Sequence, residues 1–198
     1  MMGTDCLGDP ADMLTMCNKG TVTGQDAKTV VITAFENRFF KFWKKNPSEA
    51  VLDELLKSPR KNINIVPIKI KSTFEAVDEK IPEIGKCSPE FILHLAAHST
   101  PKIIYLEKMA FSNGYCNPLE STVDFKYLLD ELDEKCEQLK IKKSENMERS
   151  IDNYLYSLTL RESSQKTLLI RIPPFDDEYT KEAITSVIRE VMRALTRD

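Results

Sequence analysis

The 198-residue sequence has little of what several classes of protein require. Its 28 lysines and arginines are outnumbered by 31 aspartates and glutamates, so it has no overall basic excess to neutralise nucleic-acid phosphates. No apolar run approaches the roughly 20 residues that span a bilayer, and the N-terminus lacks the charged and then apolar order of a signal peptide. We therefore expect a cytoplasmic protein, with the nucleus as an alternative, that binds neither membranes nor nucleic acid directly.

Cysteine and histidine are too few and too scattered to predict a metal site. The five cysteines show neither the paired spacing of a zinc site nor that of a disulfide framework. They are Cys6, Cys17, Cys87, Cys116 and Cys136. The two histidines, His94 and His98, lie four residues apart without a cluster of further ligands nearby. We expect free thiols, no metal and no cofactor.

The length suits one domain with one substantial core. Residues 1–27 carry Gly, Asp, Thr and Asn with scattered apolar positions, which bury too little surface to offset the entropy of ordering. We predict a flexible N-terminal extension over 1–27 and a single α/β domain over 28–198. A partner-binding segment around the small apolar cluster at 13–17 is the alternative interpretation of the extension.

From residue 29 onwards, strand patterns alternate with helix patterns. Continuous apolar or β-branched runs predict buried strands, and apolar residues three to four apart predict helices. The predicted strands cover 29–35, 62–70, 91–97, 102–111, a short stretch around 141, and 167–172. The predicted helices begin near 46, 72, 124, 149 and 180, the third ending near 139. This order predicts a three-layer α/β/α sandwich with a mostly parallel, twisted sheet.

Two helix starts carry clear capping signals. Asn46 can accept hydrogen bonds from free amides, and Pro47 suits the first helical position. Ser72-Thr73-Phe74-Glu75 matches a capping box. We expect the helix that follows this box to bury Phe74, and Pro82 to end or kink it.

Ligands in such folds bind beyond the carboxyl ends of the strands. The loops after Phe35, Ala97 and Ile172 are therefore the expected place for a site. No generic motif marks them, because the sequence has no Gly-rich phosphate loop, no nucleophile elbow and no metal-ligand spacing. Periodicity alone thus predicts an α/β domain and no particular chemistry.

Short motifs in the middle and at the end of the chain stand in a recognisable order. In the middle they are Ser88-Pro89, the strand Phe91-Ile-Leu-His94-Leu, Tyr105-Leu-Glu107-Lys108 and Asn113-Gly114-Tyr115. The C-terminal stretch 144–174 carries Ser144, Arg149, Tyr156 and the closing Pro173-Pro174. Together, across 29–195, these segments resemble the pyroglutamyl peptidase type I family. Residues 144–174 lie on the family's catalytic segment without a gap.

The resemblance implies a catalytic site whose two reactive positions have changed. Family members remove an N-terminal pyroglutamyl residue from peptides with a cysteine, a histidine and a glutamate. On the ungapped register, Asp152 occupies the cysteine position and Arg171 the histidine position, while Glu107 is kept. An arginine stays protonated and cannot act as the base, and the thiolate nucleophile is absent. The resemblance therefore implies no catalytic residues and no peptidase activity.

The substrate pocket implied by the resemblance is also altered. The family's first-loop Gly-Phe-x-Pro-Phe-Gly, whose aromatics hold the lactam ring, corresponds here to the segment 34–39. Phe35 is kept and Phe39 can substitute for the second aromatic, whereas the proline and both glycines are gone. With Glu107 and Arg171, these side chains make up the vestigial ligand pocket that we expect.

Asp152 and Arg171 still place an anion opposite a cation. Asp152 lies near a predicted helix start, where the helix dipole favours its charge by about 0.3–1 kcal/mol. One hypothesis is that Arg171 is held between Asp152 and Glu107 in an ion cluster that is structural or anchors a ligand. The other is independent drift, with both new side chains pointing to solvent. His94 matches a non-catalytic family histidine, so we interpret it as a hydrogen-bonded structural residue.

Three functions remain compatible with the sequence. The leading one is a pseudoenzyme, a scaffold or regulatory subunit that binds other proteins, and the family's tendency to self-associate adds a homo-oligomer to the expected assemblies. The second is a small-ligand sensor that uses the remodelled pocket, where Arg171 suits a carboxylate-bearing ligand. The third is a divergent hydrolase with residual activity.

Overall fold

The computed structural model describes residues 27–36, 46–111, 118–146, 148–163 and 166–197, in which strands and helices alternate. In chain order the elements are β1 (Lys28–Phe35), α1 (Pro47–Lys57), β2 (Ile63–Ile70), α2 (Phe74–Lys86), β3 (Phe91–Ala97), β4 (Ile104–Glu107), β5 (Met109–Ala110), β6 (Leu119–Glu120), α3 (Phe125–Lys135), β7 (Ile141–Ser144), α4 (Ile151–Glu162), β8 (Lys166–Ile172) and α5 (Lys181–Thr196). Apart from residue 27, the predicted N-terminal extension lies outside the described residues.

Six strands form one sheet in the order β2-β1-β3-β8-β4-β7, and β5 and β6 form a separate antiparallel pair. All neighbours in the large sheet are parallel except β4 and β8. The prediction of a mostly parallel sheet is confirmed. Because β1, β3 and β8 run in one direction, their carboxyl ends meet at one edge of the sheet.

Helices cover both faces of the sheet, which gives the predicted three layers. Helices α1, α3 and α5 pack over the face that presents Val30, Leu93 and Leu168. Helices α2 and α4 pack over the face that presents Val31 and Leu169. Successive strand residues point to opposite faces, and both faces are buried. This is why the central strands are continuous apolar runs rather than alternating ones.

The capping signals account for most helix starts. Asn46 Oδ1 accepts from Ser48 N at 3.0 Å, which confirms the predicted cap, and Thr180 Oγ1 accepts from Ala183 N at 3.1 Å at the start of α5. The cap of α2 is Thr73, whose Oγ1 accepts from Ala76 N at 3.2 Å, so the predicted capping box that begins at Ser72 is wrong by one residue. Each of these bonds satisfies one of the amides that a helix leaves unpaired in its first turn.

One expectation about α2 is wrong, and one of the two alternatives for Pro82 is excluded. Phe74 is 54% exposed rather than buried, and its ring meets that of Tyr154 edge-on at a centroid distance of 5.0 Å. The helix also does not end at Pro82 but continues to Lys86. Buried Ile81 and Ile84 lie on either side of the proline, and their packing holds both turns in place.

Helix α3 ends at Lys135, four residues before the predicted end. Cys136 still donates its backbone N–H to Leu132 O at 2.7 Å, but its own backbone is no longer helical. The chain then turns to enter β7, where Lys140 N donates to Tyr179 Oη at 2.6 Å. No helix in the described ranges is long and apolar enough to cross a membrane.

Candidate functional site

The first turn of α4 lies over the carboxyl end of β8. Ser150 is the N-cap of α4 and Asp152 is the second residue of the helix, where the dipole favours an acidic side chain. Arg171, the penultimate residue of β8, lies opposite Ala96 of β3 and Tyr105 of β4. Glu107 is two residues beyond Tyr105 and therefore shares the face of the sheet on which Arg171 points.

Four side chains surround the Arg171 guanidinium. Nε donates to Asp152 Oδ2 at 2.9 Å and lies 3.5 Å from Glu107 Oε1. Nη2 donates to Ser150 Oγ at 3.2 Å, and Nη1 donates to Glu148 Oε2 at 3.5 Å. All three nitrogens are thus engaged, and the N-cap hydroxyl of α4 is directed at the arginine. We call these five residues the Arg171 cluster.

The Arg171 cluster is buried except at one corner. Arg171 is 5% exposed, Asp152 9% and Glu107 1%, whereas the side chain of Glu148 is 63% exposed. The contacts to both buried carboxylates are those that the ion-cluster hypothesis expects. The alternative of independent drift, with Asp152 and Arg171 pointing to solvent, is wrong. Water is excluded from the interior pair, so their attraction is screened less than that of a surface pair.

Glu107 is the least satisfied member of the cluster. Its Oε2 is buried, and no described residue forms a hydrogen bond with it. Burial raises the pKa of the Glu107 carboxyl, and Arg171, the Ser144 hydroxyl and the Asn146 backbone amide oppose that rise without cancelling it. The Asp152 carboxylate nearby adds to the rise in this pKa. The cluster therefore holds two buried carboxyl groups against one buried guanidinium.

A cleft of about 460 Å³ opens beside the cluster. It is lined by Phe35, Asn46, Ser72, Ala96, Ala97, His98, Ser99, Glu148, Ser150, Ile151, Asp152 and Arg171. The cleft lies beyond the carboxyl ends of β1, β3 and β8, the edge at which the sequence places a site. Of the predicted pocket residues, Phe35 and Arg171 line the cleft, and Glu107 lies behind Arg171 without lining it. Phe39 lies outside the described residues.

His98 is a cleft residue that the sequence reasoning did not assign to the site. Its Nδ1 accepts from Thr100 N at 3.1 Å, so its Nε2 carries the proton and donates to Ile103 O at 2.9 Å. Burial lowers the pKa of His98, with a further lowering from Arg171. The imidazole is therefore neutral, with both nitrogens in use. Its position directly after a parallel strand was the signal that could have identified it.

His94 lies deeper in the sheet and is fully buried. Thr159 Oγ1 donates to Leu155 O at 2.8 Å, so it accepts the proton of His94 Nε2 at 3.0 Å. His94 Nδ1 then accepts from Thr33 Oγ1 at 2.8 Å. Burial lowers the pKa of His94 to about 3. The interpretation of His94 as a hydrogen-bonded structural residue is confirmed.

Asn153, the residue after Asp152, is a second contact that the sequence reasoning missed. Its Oδ1 accepts from Phe111 N at 3.2 Å, and its Nδ2 donates to Phe111 O at 3.4 Å. The Arg149 guanidinium lies 4.9 Å from the centre of the Phe111 ring. These contacts fasten the chain after β5 to the first turn of α4, next to the cluster.

Comparison with known proteins gives one family and a set of similar structures. The family model described as "Putative pyroglutamyl peptidase PgaPase_1" matches residues 13–121 and 116–176. Pyroglutamyl peptidase I from Bacillus amyloliquefaciens has a TM-score of 0.73 at 18% identity, with 86% of this chain and 96% of that chain covered. No curated protein matches the sequence.

Archaeal structures are similar to the same degree. Pyrrolidone carboxyl peptidase from Thermococcus litoralis has a TM-score of 0.73 at 17% identity, covering 84% of this chain and 92% of that chain. A mutant pyrrolidone carboxyl peptidase from the hyperthermophile Pyrococcus furiosus has a TM-score of 0.73 at 16% identity, covering 84% and 97%. At such identities the likeness to these structures shows the fold.

Proposed function

This chain belongs to the pyroglutamyl peptidase family, and we propose that it is a catalytically inactive member, a pseudoenzyme that acts as a protein-binding scaffold or regulatory subunit. The observation that carries the proposal is the buried 2.9 Å contact between Arg171 Nε and Asp152 Oδ2. On the register of the resemblance, these residues stand where the family has its base and its nucleophile. A reactive pair has thereby become a charge-matched ion pair.

The ion pair has neither of the two properties that amide hydrolysis by a cysteine peptidase requires. Arg171 keeps its proton and donates it to carboxylates, so it cannot remove a proton from a nucleophile. Loss of a general base alone lowers rates by about 10² to 10⁴. Asp152 has one oxygen engaged by the arginine and lacks the nucleophilicity of a thiolate. Both losses together leave no route to turnover.

No other described side chain takes over these roles. His98 lines the cleft, but both of its ring nitrogens are bonded to backbone groups. Of the two described cysteines, Cys87 donates its thiol to Glu83 O, and Cys136 caps the end of α3 on the other face of the sheet. Burial raises the pKa of the Cys136 thiol, which disfavours a thiolate there.

An exposed aromatic ring that packs on a partly buried one supports a protein-binding role. Phe74 is 54% exposed and meets the ring of Tyr154, whose hydroxyl donates to Asp78 Oδ1 at 2.7 Å. Two aromatic rings fixed in this way on α2 and α4 lose little entropy on binding, and aromatic residues are enriched in protein interfaces. We propose this Phe74–Tyr154 surface as a site of contact with a partner protein.

The proposal of inactivity is tested by hydrolysis of a fluorogenic pyroglutamyl amide. The purified protein should release no fluorophore above the blank. Release that disappears in Asp152→Ala would show a divergent hydrolase instead, with Asp152 in a catalytic role. Release that persists in Asp152→Ala would point to a contaminating peptidase, which a second purification resolves.

The proposed contact surface is tested by affinity purification from the native cell followed by mass spectrometry. Phe74→Ala should lose the specific partner, because it removes the exposed ring. Phe175→Ala is the matched control, since Phe175 is also exposed, at 37%, and lies outside α2 and α4. Retention of every specific partner by Phe74→Ala would exclude this surface.

The second candidate function is binding of a small ligand in the cleft. The observation that favours it is a cavity of about 460 Å³ beyond the carboxyl ends of parallel strands, where α/β proteins hold their ligands. Phe35 supplies an apolar wall and the Arg171 cluster a charged one. A thermal-shift screen with pyroglutamate, related acids and small primary amines tests this function, and a flat response across the whole panel would count against it.

We also propose a cytoplasmic or nuclear location and, alongside other partners, a homo-oligomer. The location rests on the scattered cysteines, and the self-association on the resemblance to the family. Fractionation of native cells and light scattering of the purified protein test the two statements separately.

A further inference from the structure

The Arg171 guanidinium that lines the cleft is already engaged at each of its three nitrogens. Arg171 donates from Nε to Asp152, from Nη2 to Ser150 and from Nη1 to Glu148. Glu107 Oε1 lies a further 3.5 Å from Nε. A ligand carboxylate that approached Arg171 would have to enter among three carboxyl groups already gathered around the same cation. Repulsion from those groups would oppose its binding.

Among the described lining residues and Glu107, three carboxyl groups face one guanidinium. Glu148 and Asp152 line the cleft and Glu107 lies behind Arg171, the only basic residue among the lining residues described. His98 is neutral, since it accepts at one nitrogen and donates at the other. Among its described residues the cleft therefore has more carboxyl groups than cationic groups, which favours a cationic ligand.

One of these acceptors is built into the wall of the cleft. Asp152 Oδ2 accepts a hydrogen bond from Arg171 Nε. No described residue donates to Asp152 Oδ1, and this oxygen is not a buried atom. The ion pair and the first turn of α4 hold the carboxylate in place, with the residue 9% exposed. Its open oxygen can accept a charge-assisted hydrogen bond without any rearrangement. Phe35, Ala96 and Ile151 offer apolar contacts beside it.

We infer that the cleft binds a protonated primary amine, such as the free N-terminus of a peptide, through Asp152 and Glu148. A carboxylate or an uncharged lactam makes no ion pair with these acceptors. The inference deepens the second candidate function and rests on it. The inference does not depend on the loss of peptidase activity. A binding measurement tests the inference, and a hydrolysis measurement tests the loss of activity.

A matched pair of peptides tests the inference. A short peptide that begins with glutamine carries an ammonium group, and the same peptide that begins with pyroglutamate carries a neutral lactam. Isothermal titration of the full chain should show the glutaminyl peptide binding about tenfold more tightly or better. Its binding should weaken with added salt and at pH well above about 8, where the α-amine loses its proton.

Two charge-removing variants localise the effect. Glu148→Gln should weaken the glutaminyl peptide severalfold, and it should fold normally because the Glu148 side chain is 63% exposed. Glu145→Gln is the matched control, since Glu145 is also exposed, pairs with Lys143 and does not line the cleft. Equal binding of the two peptides, tighter binding of the pyroglutamyl peptide, no binding of either, or equal effects of the two variants would overturn the inference.

Discussion

The guanidinium of Arg171 and the carboxylate of Asp152 join the end of β8 to the first turn of α4 through a buried 2.9 Å contact. Glu107 approaches the same nitrogen from β4 at 3.5 Å. Three elements of the fold therefore depend on one arginine. Because two carboxyl groups share this one cation, substitution of each residue is expected to change the free energy of unfolding by a different amount.

Removal of the cation should cost more than removal of one anion. Arg171→Met leaves Asp152 and Glu107 buried without their shared partner, and we expect a loss of about 3–5 kcal/mol in the free energy of unfolding. Asp152→Asn leaves Arg171 beside Glu107, so its cost should be smaller. Urea unfolding at neutral pH measures both values.

Arg161→Met is the control for this comparison. Arg161 pairs with Glu162 at 3.4 Å, but both side chains are exposed, at 41% and 51%. Such surface pairs contribute little, and we expect a change within about 0.5 kcal/mol. If Asp152→Asn destabilised the protein more than Arg171→Met, the role of Glu107 as a second buried anion would be wrong.

Glu107→Gln should stabilise the protein at neutral pH. Burial raises the folded-state pKa of Glu107 above its unfolded value, so the carboxyl group favours the folded state at low pH and loses that contribution as pH rises through the folded pKa. Glutamine has no proton to lose, so the variant does not lose stability in this way as pH rises. The stability difference should shrink as pH falls towards about 4.3, the ordinary pKa of glutamate.

Urea unfolding of the wild type and of Glu107→Gln across this pH range shows which of the two has the larger free energy of unfolding. A variant that is less stable than the wild type at neutral pH would show that the attraction of Arg171 for Glu107 outweighs the cost of burial.

His94 should make the protein sensitive to acid. Its folded-state pKa, about 3, lies below the ordinary value of about 6.5, so the unfolded chain binds a proton first as pH falls. The contribution of His94 to stability is complete above about pH 6.5 and falls by about 1.4 kcal/mol per pH unit below it. His94→Gln, which cannot take up a proton, should show a shallower loss of unfolding free energy with acid. Parallel slopes for the two proteins would refute this assignment.

Asn153→Ala should release the chain that follows β5. The variant leaves the N–H and C=O of Phe111 without the amide that now pairs with both. We expect a cost of about 1–3 kcal/mol and faster hydrogen exchange at the Phe111 amide, which mass spectrometry can follow. Asn146→Ala is the control, since Asn146 is exposed and its side chain pairs with Glu148. Unchanged exchange at Phe111 would exclude the anchoring role.

The periodic parts of the fold could be predicted because their signals are local. The strands that end at Phe35 and Ala97 are apolar throughout, since helices cover both faces of the sheet. The starts of α1 and α5 are marked by Asn46 and Thr180. Phe74 was wrongly predicted to be buried, because helical spacing shows which residues share a face but not how far the neighbouring helix reaches.

The site could be predicted in part. The resemblance aligned Asp152, Arg171 and Glu107, and the structure brings them together. The contacts of Arg171 with Ser150 and Glu148 depend on which loops meet at the sheet edge. A single sequence carries no signal for that. The sequence also does not show that Glu107 Oε2 is buried without a hydrogen-bond partner among the described residues, because this depends on how completely the surrounding elements exclude water.

We propose that Asp152 and Arg171 form an inert ion pair at the positions where the family has a nucleophile and a base. The most direct measurement is the rate of release from a fluorogenic pyroglutamyl amide by the purified chain, with pyroglutamyl peptidase I from Bacillus amyloliquefaciens as the positive control. We expect no release above the blank at any pH at which the chain is folded. Turnover by the wild type that Asp152→Ala abolishes would contradict it.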